Sequence, residues 1–186
     1  MSNPQVQSKI MLILTGPKHS GKTSAGLALR DITGKDFIDI DAFIEELEGR
    51  GVRELYRQGR DVFQAAEARA VSLLIAGAKA GNGTIIAAAG GGLIDNEAAV
   101  KALAEDGRVV FVYLDVSAAT AWRRIEQAAR KGGLPSFLDT ENPRETHAAL
   151  HERRAAAYKK LSNIIIDAEE KTPAQIAAQI ARHIKT

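Results

Sequence analysis

The sequence predicts a three-layer α/β fold, a five-stranded parallel sheet with helices on both faces. Three observations predict it. Short apolar runs of strand length alternate with longer stretches of helical patterning. The first run, Ile10 to Leu14, leads directly into Gly16-Pro17-Lys18-His19-Ser20-Gly21-Lys22-Thr23, two glycines followed by Lys and a hydroxyl residue in the phosphate-loop pattern. Two later runs end on Asp39-Ile40-Asp41 and Gly90-Gly91-Gly92. Right-handed crossovers bring all three of these strand ends to one edge of a parallel sheet, where ligands bind.

The phosphate loop states its chemistry most directly. Four matches at fixed spacing arise by accident in roughly one chain in a hundred of this length, and here the flanks match as well. Its glycines fall where a strand hands over to a helix N-terminus, so successive backbone N–H groups and the positive helix end bind phosphate oxygens. Residues Gly16 through Ser24 are the expected triphosphate contacts. Lys22 reaches for the β- and γ-phosphates, and the Thr23 hydroxyl ligates Mg²⁺.

The elements follow in order. Lys22 to Thr33 reads as a helix closed by Gly34. Asp36 to Asp41 reads as the second strand, with Asp39 and Asp41 leaving it on one side. Helical patterning over Ala42–Glu48 breaks at Gly49-Arg50-Gly51, resumes through Val52–Arg57, and continues in a long helix from about Asp61 to Lys79. Gly81-Asn82-Gly83 turns the chain into a third strand, Thr84 to Ala89. Asn96 caps the next helix, Val109 to Leu114 is the fourth strand, and Ser117 opens a helix to about Arg130. Asn142-Pro143-Arg144-Glu145 starts a helix to about Leu161, with Asn142 in the cap position. A fifth strand, Ile164 to Ile166, precedes the capping box Thr172-Pro173-Ala174-Gln175 and a last helix.

Composition narrows the functions. A length of 186 residues with 45% apolar and 26% charged content suits one soluble domain. The net charge of +2 argues for neither nucleic acid nor membrane as a partner. There are no cysteines, which removes disulfides, thiolate metal sites and thiol catalysis, and which fits a reducing cytoplasm. Met1 to Ser8 reads as a loose polar tail, and no apolar run is long enough for a bilayer. A monomer is expected. His147 and His151 share a helical face, but with no third ligand nearby they read as solvent-facing. His19 contributes only its place in the loop, and Trp122 reads as packing.

In combination these segments resemble the shikimate kinases, small phosphate-loop kinases related in fold to nucleoside monophosphate kinases. The resemblance covers nearly the whole chain. It rests on Gly16 to Thr23; on Asp39-Ile40-Asp41; on Gly59-Arg60-Asp61-Val62-Phe63-Gln64-Ala65-Ala66-Glu67; on Gly90 to Gly92; and on Arg154, four residues before Tyr158. It implies transfer of the γ-phosphoryl group of ATP to a hydroxyl of shikimate, an acceptor that also carries a carboxylate. It implies that Asp39 holds Mg²⁺ through water opposite Thr23, and that Asp41 binds the accepting hydroxyl and takes its proton. Asp41 also reads as an N-cap for a helix starting at Ala42. Gly90, Gly91 and Gly92 would bring backbone N–H groups to the acceptor, and Arg154 would grip its carboxylate. By family position, adenine lies between Arg130 and Pro173. The acceptor region is about 41–70 and the lid about 131–143.

Two departures bear on the acceptor. The family's Phe-Arg pair reads Phe63-Gln64 here, and the family's Glu before it is Arg60. Positions four apart share a helical face, so Arg60 is expected to supply the missing guanidinium beside Gln64. Where the family lid has Arg-Pro, this chain has Leu134-Pro135, so a lid cation would come from Arg130, Lys131 or Arg144 or be absent. The alternatives are a kinase of another small hydroxy acid or nucleotide, and a nucleotide-binding regulator without transfer.

Overall fold

The computed structural model describes residues 10–81 and 83–184. The tail expected over 1–8 and Asn82 of the expected turn lie outside the described residues. Five parallel strands form one sheet: β1 Met11–Thr15, β2 Asp36–Asp39, β3 Ile85–Ala88, β4 Val109–Asp115 and β5 Ile164–Asp167, in the spatial order β2-β3-β1-β4-β5. Every residue of β1 is buried, as expected for a central strand covered on both faces.

Alternation along β1 divides the core into two layers. Met11 and Ile13 face a cluster built with α2 (Ile40–Glu48), α3 (Val52–Gln58), α4 (Arg60–Ala80) and α5 (Glu97–Glu105). Leu12 and Leu14 face the opposite cluster, which contains Leu29 of α1 (Lys22–Thr33) and Ile176 and Ile180 of α8 (Pro173–Ile184). The remaining helices, α6 (Ala118–Gly132) and α7 (Pro143–Leu161), are joined by a segment holding the short 3₁₀ turn Ser136–Leu138. This arrangement is the expected three-layer fold.

Capping chemistry sets most boundaries. Gly34 ends α1 in the left-handed conformation with φ 66°, its N–H on the Arg30 carbonyl. Asn96 accepts from the Ala99 N–H, Ser117 from the Thr120 N–H, and Thr172 and Gln175 complete their capping box. At Asn142 the position is as expected, but its side chain makes no capping bond, and Pro143 alone presets the first turn.

Three expectations are corrected. The second strand ends at Asp39, and α2 begins at Ile40. Asp39, rather than Asp41, is the cap: its Oδ1 accepts from the Asp41 and Ala42 N–H groups at 3.1 and 3.3 Å. His147 and His151 are 5% and 9% exposed rather than solvent-facing. α7 has no apolar stripe, so its inward face is built from rings: His147, His151 and Tyr158, with the Trp122 ring centroid 5.5 Å from that of His147. Beyond these three, the structure adds a 3₁₀ turn, Leu93–Asp95, between the glycine triplet and α5, on which the sequence carried no expectation.

The two-layer core gives a direct test. Ile13 is fully buried on β1, while Ile165 on the edge strand β5 is 50% exposed. Ile13→Ala should lower unfolding free energy by about 2–5 kcal/mol, and Ile165→Ala should change it by less than about 0.5 kcal/mol. Urea titrations with unchanged slopes measure both. Equal costs would contradict the assignment of centre and edge.

Candidate active site

The loop between β1 and α1 is curled by positive φ angles at Gly16 (140°), His19 (61°) and Gly21 (96°). Gly16 has no room for a side chain, since a Cβ there would lie 2.8 Å from the Leu114 carbonyl oxygen. Lys22 folds over the loop and donates to the Gly16 and Pro17 carbonyls at 3.0 and 2.7 Å. Burial pushes its ammonium pKa down to about 8, against the pull of Asp41. The Thr23 hydroxyl donates to Asp39 Oδ2 at 2.7 Å, while the other oxygen of Asp39 caps α2. Thr23 and Asp39 therefore present adjacent hard oxygens beside the loop.

Asp41 sits in the first turn of α2. Its Oδ1 is buried with no hydrogen-bond partner among the described atoms. Burial and then Asp39 raise its pKa, with Lys22 opposing. Asp41 lines two neighbouring cavities. One is the loop cavity with Lys22, Thr23, Ser24 and Asp39; the other holds Tyr56, Phe63, Glu67, Phe137 and Arg154. Lys18, Gly90 and Gly91 line both.

The glycine triplet earns its composition from what presses on it. A Cβ at Gly90 would lie 2.8 Å from Asp41 Oδ1, at Gly91 2.9 Å from the Lys18 nitrogen, and at Gly92 3.3 Å from Arg154 Nη2. The sequence assigned these glycines to backbone contact with an acceptor. In the fold, their missing side chains also let three other site segments close in.

Other expected residues lie elsewhere. Gln64 turns away from the Asp41 cavity and donates to the Asp95 carbonyl at 2.9 Å. Arg60 is mostly exposed, with Nη2 3.6 Å from Asp95 Oδ2. Neither appears in the lining of the cavity that Asp41 shares with Arg154. Arg130 is exposed near the end of α6 and Pro173 is exposed at the start of α8, both outside the lining of the loop cavity. From the segment expected to be a lid, Pro135 and Phe137 line the Asp41 cavity, and Arg144 is exposed at the start of α7.

Sequence reasoning gave no role to several residues that the fold brings in. Arg53 of α3 lines the Asp41 cavity. Arg124 donates to the His19 carbonyl at 3.2 Å and the Glu169 carbonyl at 3.0 Å, tying the phosphate loop to the segment before α8. Glu67, 1% exposed, closed the quoted helix motif, yet nothing local marked its environment. Asn96 donates to its Oε2 at 2.9 Å, its Oε1 has no partner among the described atoms, and burial pushes its pKa up to about 7.

The family model "Shikimate kinase" matches residues 18–185. A shikimate kinase of Salinispora arenicola is 34% identical over 170 residues, covering 91% of this chain and 94% of the relative. One from Marinomonas sp. is 28% identical over 179 residues, covering 94% of this chain and 93% of that one. The solved shikimate kinase from Acinetobacter baumannii in complex with shikimate has a TM-score of 0.82 at 23% identity, over 96% of this chain and 94% of that chain, which is a likeness of fold.

The buried carboxyl of Glu67 predicts a pH dependence. Its pKa is about 7 when folded, against 4.5 for an ordinary glutamate, so the folded chain holds a proton that the unfolded chain releases. Stability therefore falls as pH rises through that window, by about 3 kcal/mol for this group. His19, His147 and His151 have lowered pKa values and act in the opposite direction. The difference between parent and Glu67→Gln, measured by urea unfolding across the window, isolates Glu67. The parent should lose about 3 kcal/mol relative to the variant between about pH 4 and about pH 8; parallel pH profiles would exclude the buried proton.

Proposed function

The chain belongs to the shikimate kinase family, and on that premise we propose that it transfers the γ-phosphoryl group of ATP to a hydroxyl of shikimate. The observation that carries this reading is Asp41, whose carboxylate lines both the phosphate-loop cavity and the cavity holding Arg154. A group in that position meets the end of a triphosphate on one side and an alcohol on the other.

The loop N–H groups and the α1 N-terminus bind the phosphates. Lys22 leaves the Gly16 and Pro17 carbonyls for the β- and γ-phosphates, whose charge restores its full protonation. Asp41 accepts the proton of the attacking hydroxyl as its oxygen bonds to the γ-phosphorus. The bond from that phosphorus to the oxygen bridging to the β-phosphate breaks, and ADP leaves. The raised pKa of Asp41 suits a carboxylate that receives a proton. Thr23 and Asp39 offer a hydroxyl and a carboxylate 2.7 Å apart, a donor set that suits Mg²⁺, with Asp39 acting through water. When bound, Mg²⁺ neutralises phosphate charge. Arg154 takes the acceptor's carboxylate, Gly90 to Gly92 approach the acceptor, and Arg130 and Pro173 flank adenine by family position. On the same reading it works as a monomer in the cytoplasm, a reducing compartment that a chain without cysteines fits.

A second acceptor, another small hydroxy acid, is favoured only by the turning of Gln64 toward the Asp95 carbonyl. An ADP-release assay across shikimate, gluconate and nucleoside monophosphates separates the readings: stimulation by shikimate is expected, and its absence would defeat the proposal. Asp41→Asn should keep ATP binding and lower kcat by about 10²- to 10⁴-fold. A variant as active as the parent would remove the base role.

A further inference from the structure

Asp95 ends the 3₁₀ turn that follows the glycine triplet, and its side chain is 6% exposed. Its Oδ2 accepts from both Nε and Nη2 of Arg154, at 3.0 and 2.7 Å. Arg153 donates from Nη2 to the same Oδ2 at 3.1 Å, and its Nη1 forms an ion pair 2.9 Å from Oδ1; Arg60 adds an ion pair, Nη2 3.6 Å from Oδ2. Burial alone would raise this carboxyl, but hydrogen bonds from Arg153 and Arg154 hold it below the usual carboxylate range. Three guanidinium groups thus share one carboxylate.

Their placement is unequal. Arg154 lines the Asp41 cavity and also an outer cavity that contains Arg60, Asp95 and Arg153. Asp95 lines the outer one and is absent from the lining of the inner one. The Arg154 guanidinium therefore forms a wall, gripped from outside along its Nε–Nη2 edge. That grip fixes the plane of the fork and leaves the Nη1 end unclaimed by Asp95. Arg60 and Arg153, each more than half exposed, offset the charge of Asp95, so the wall stays cationic.

The anchor for this arrangement is Gln64. Its Nε2 donates to the Asp95 backbone carbonyl, and its own backbone carbonyl accepts from Asn96 Nδ2 at 2.8 Å. The position expected to reach the acceptor instead fixes the turn that carries Asp95. We propose that Asp95 is a positioning residue for acceptor binding: it orients Arg154 so that the free end of the fork meets the acceptor's carboxylate, with Gln64 holding Asp95 in place. This inference rests on the kinase reading above. It also replaces the expectation that Arg60 substitutes directly for a clamp arginine.

The test is steady-state kinetics with two acceptors, shikimate and its neutral carboxamide. Asp95→Asn should raise KM for shikimate by about 10- to 150-fold, the range for a lost hydrogen-bond partner of a charged group. Its kcat and its KM for ATP should stay at parent values, and KM for the carboxamide should not move. Arg153→Gln changes a mostly exposed arm and leaves Asp95 less compensated; it should raise KM for shikimate several-fold, again without effect on the carboxamide. Equal losses on both acceptors would reduce Asp95 to a structural role. A lower KM for shikimate in Asp95→Asn would show that Asp95 competes with the acceptor, which also overturns the proposal. The parent enzyme is assayed first: no turnover of shikimate defeats the functional reading itself, whereas turnover with unchanged variants defeats only this inference.

Discussion

Three missing β-carbons hold this site together. Gly90, Gly91 and Gly92 are approached by Asp41, by the backbone of Lys18 and by Arg154, at distances from a virtual Cβ of 2.8, 2.9 and 3.3 Å. Real Cβ atoms do not sit that close to backbone or buried carboxylate without something moving. Each of the three neighbours belongs to a different part of the proposed reaction: proton acceptance, phosphate binding and carboxylate recognition. A side chain at Gly91 would meet loop backbone and one at Gly90 a buried carboxylate, so neither neighbour could yield cheaply. The sheet brings the triplet to this place because β3 lies beside β1 in the strand order, so its C-terminal end emerges next to the phosphate loop.

Around that contact the charges fall into three groups. Asp39 is shared between a hydroxyl and a helix cap, so it is satisfied locally. Asp41 and Glu67 each leave one buried oxygen without a partner, and burial raises both pKa values. Asp95 also leaves Oδ1 without a hydrogen bond, but its Oδ2 accepts from Arg153 and Arg154, which hold this nearly buried carboxylate ionised. Low-dielectric surroundings make both kinds of group consequential. Unpartnered oxygens favour taking a proton or a ligand hydroxyl, while an over-partnered carboxylate fixes the cations around it. The same burial that weakens Lys22 as an ammonium ion gives it more to gain from a phosphate.

Much of this was legible in the sequence, and the exceptions have physical causes. The alternation of strands and helices, the phosphate loop and the caps at Gly34, Asn96, Ser117 and Thr172 all come from local chemistry, so they are legible locally. The boundary between β2 and α2 slipped because both Asp39 and Asp41 are good caps, and only three-dimensional geometry selects the one whose oxygen faces the free N–H groups. Arg60 and Gln64 do share a helical face, as the spacing requires. That face meets Asp95, which lies 31 residues beyond Gln64 in the chain, and no short-range pattern could reveal it. The histidines of α7 misled for a related reason. A helix without an apolar stripe gives no signal of which side is inward, and here imidazole and phenol rings fill that side.

That choice of rings has a consequence for the site. Tyr158 is buried at 1% exposure and stacks on Tyr113 of β4 with ring centroids 5.5 Å apart, while its hydroxyl reaches the Gly91 carbonyl at 3.4 Å. The rotation of α7 about its axis is thereby tied to a central strand and to the glycine triplet. Arg154 precedes Tyr158 by one turn and shares its face, so fixing the tyrosine aims the arginine. The segment proposed as a lid enters the same linkage, because the Phe137 ring lies 5.9 Å from the Arg154 guanidinium carbon, within reach of a cation–π contact. Sheet, arginine and the segment proposed as a lid are coupled through two aromatic contacts, and a helix rich in alanine and charge can hold an arginine in register without an apolar stripe of its own.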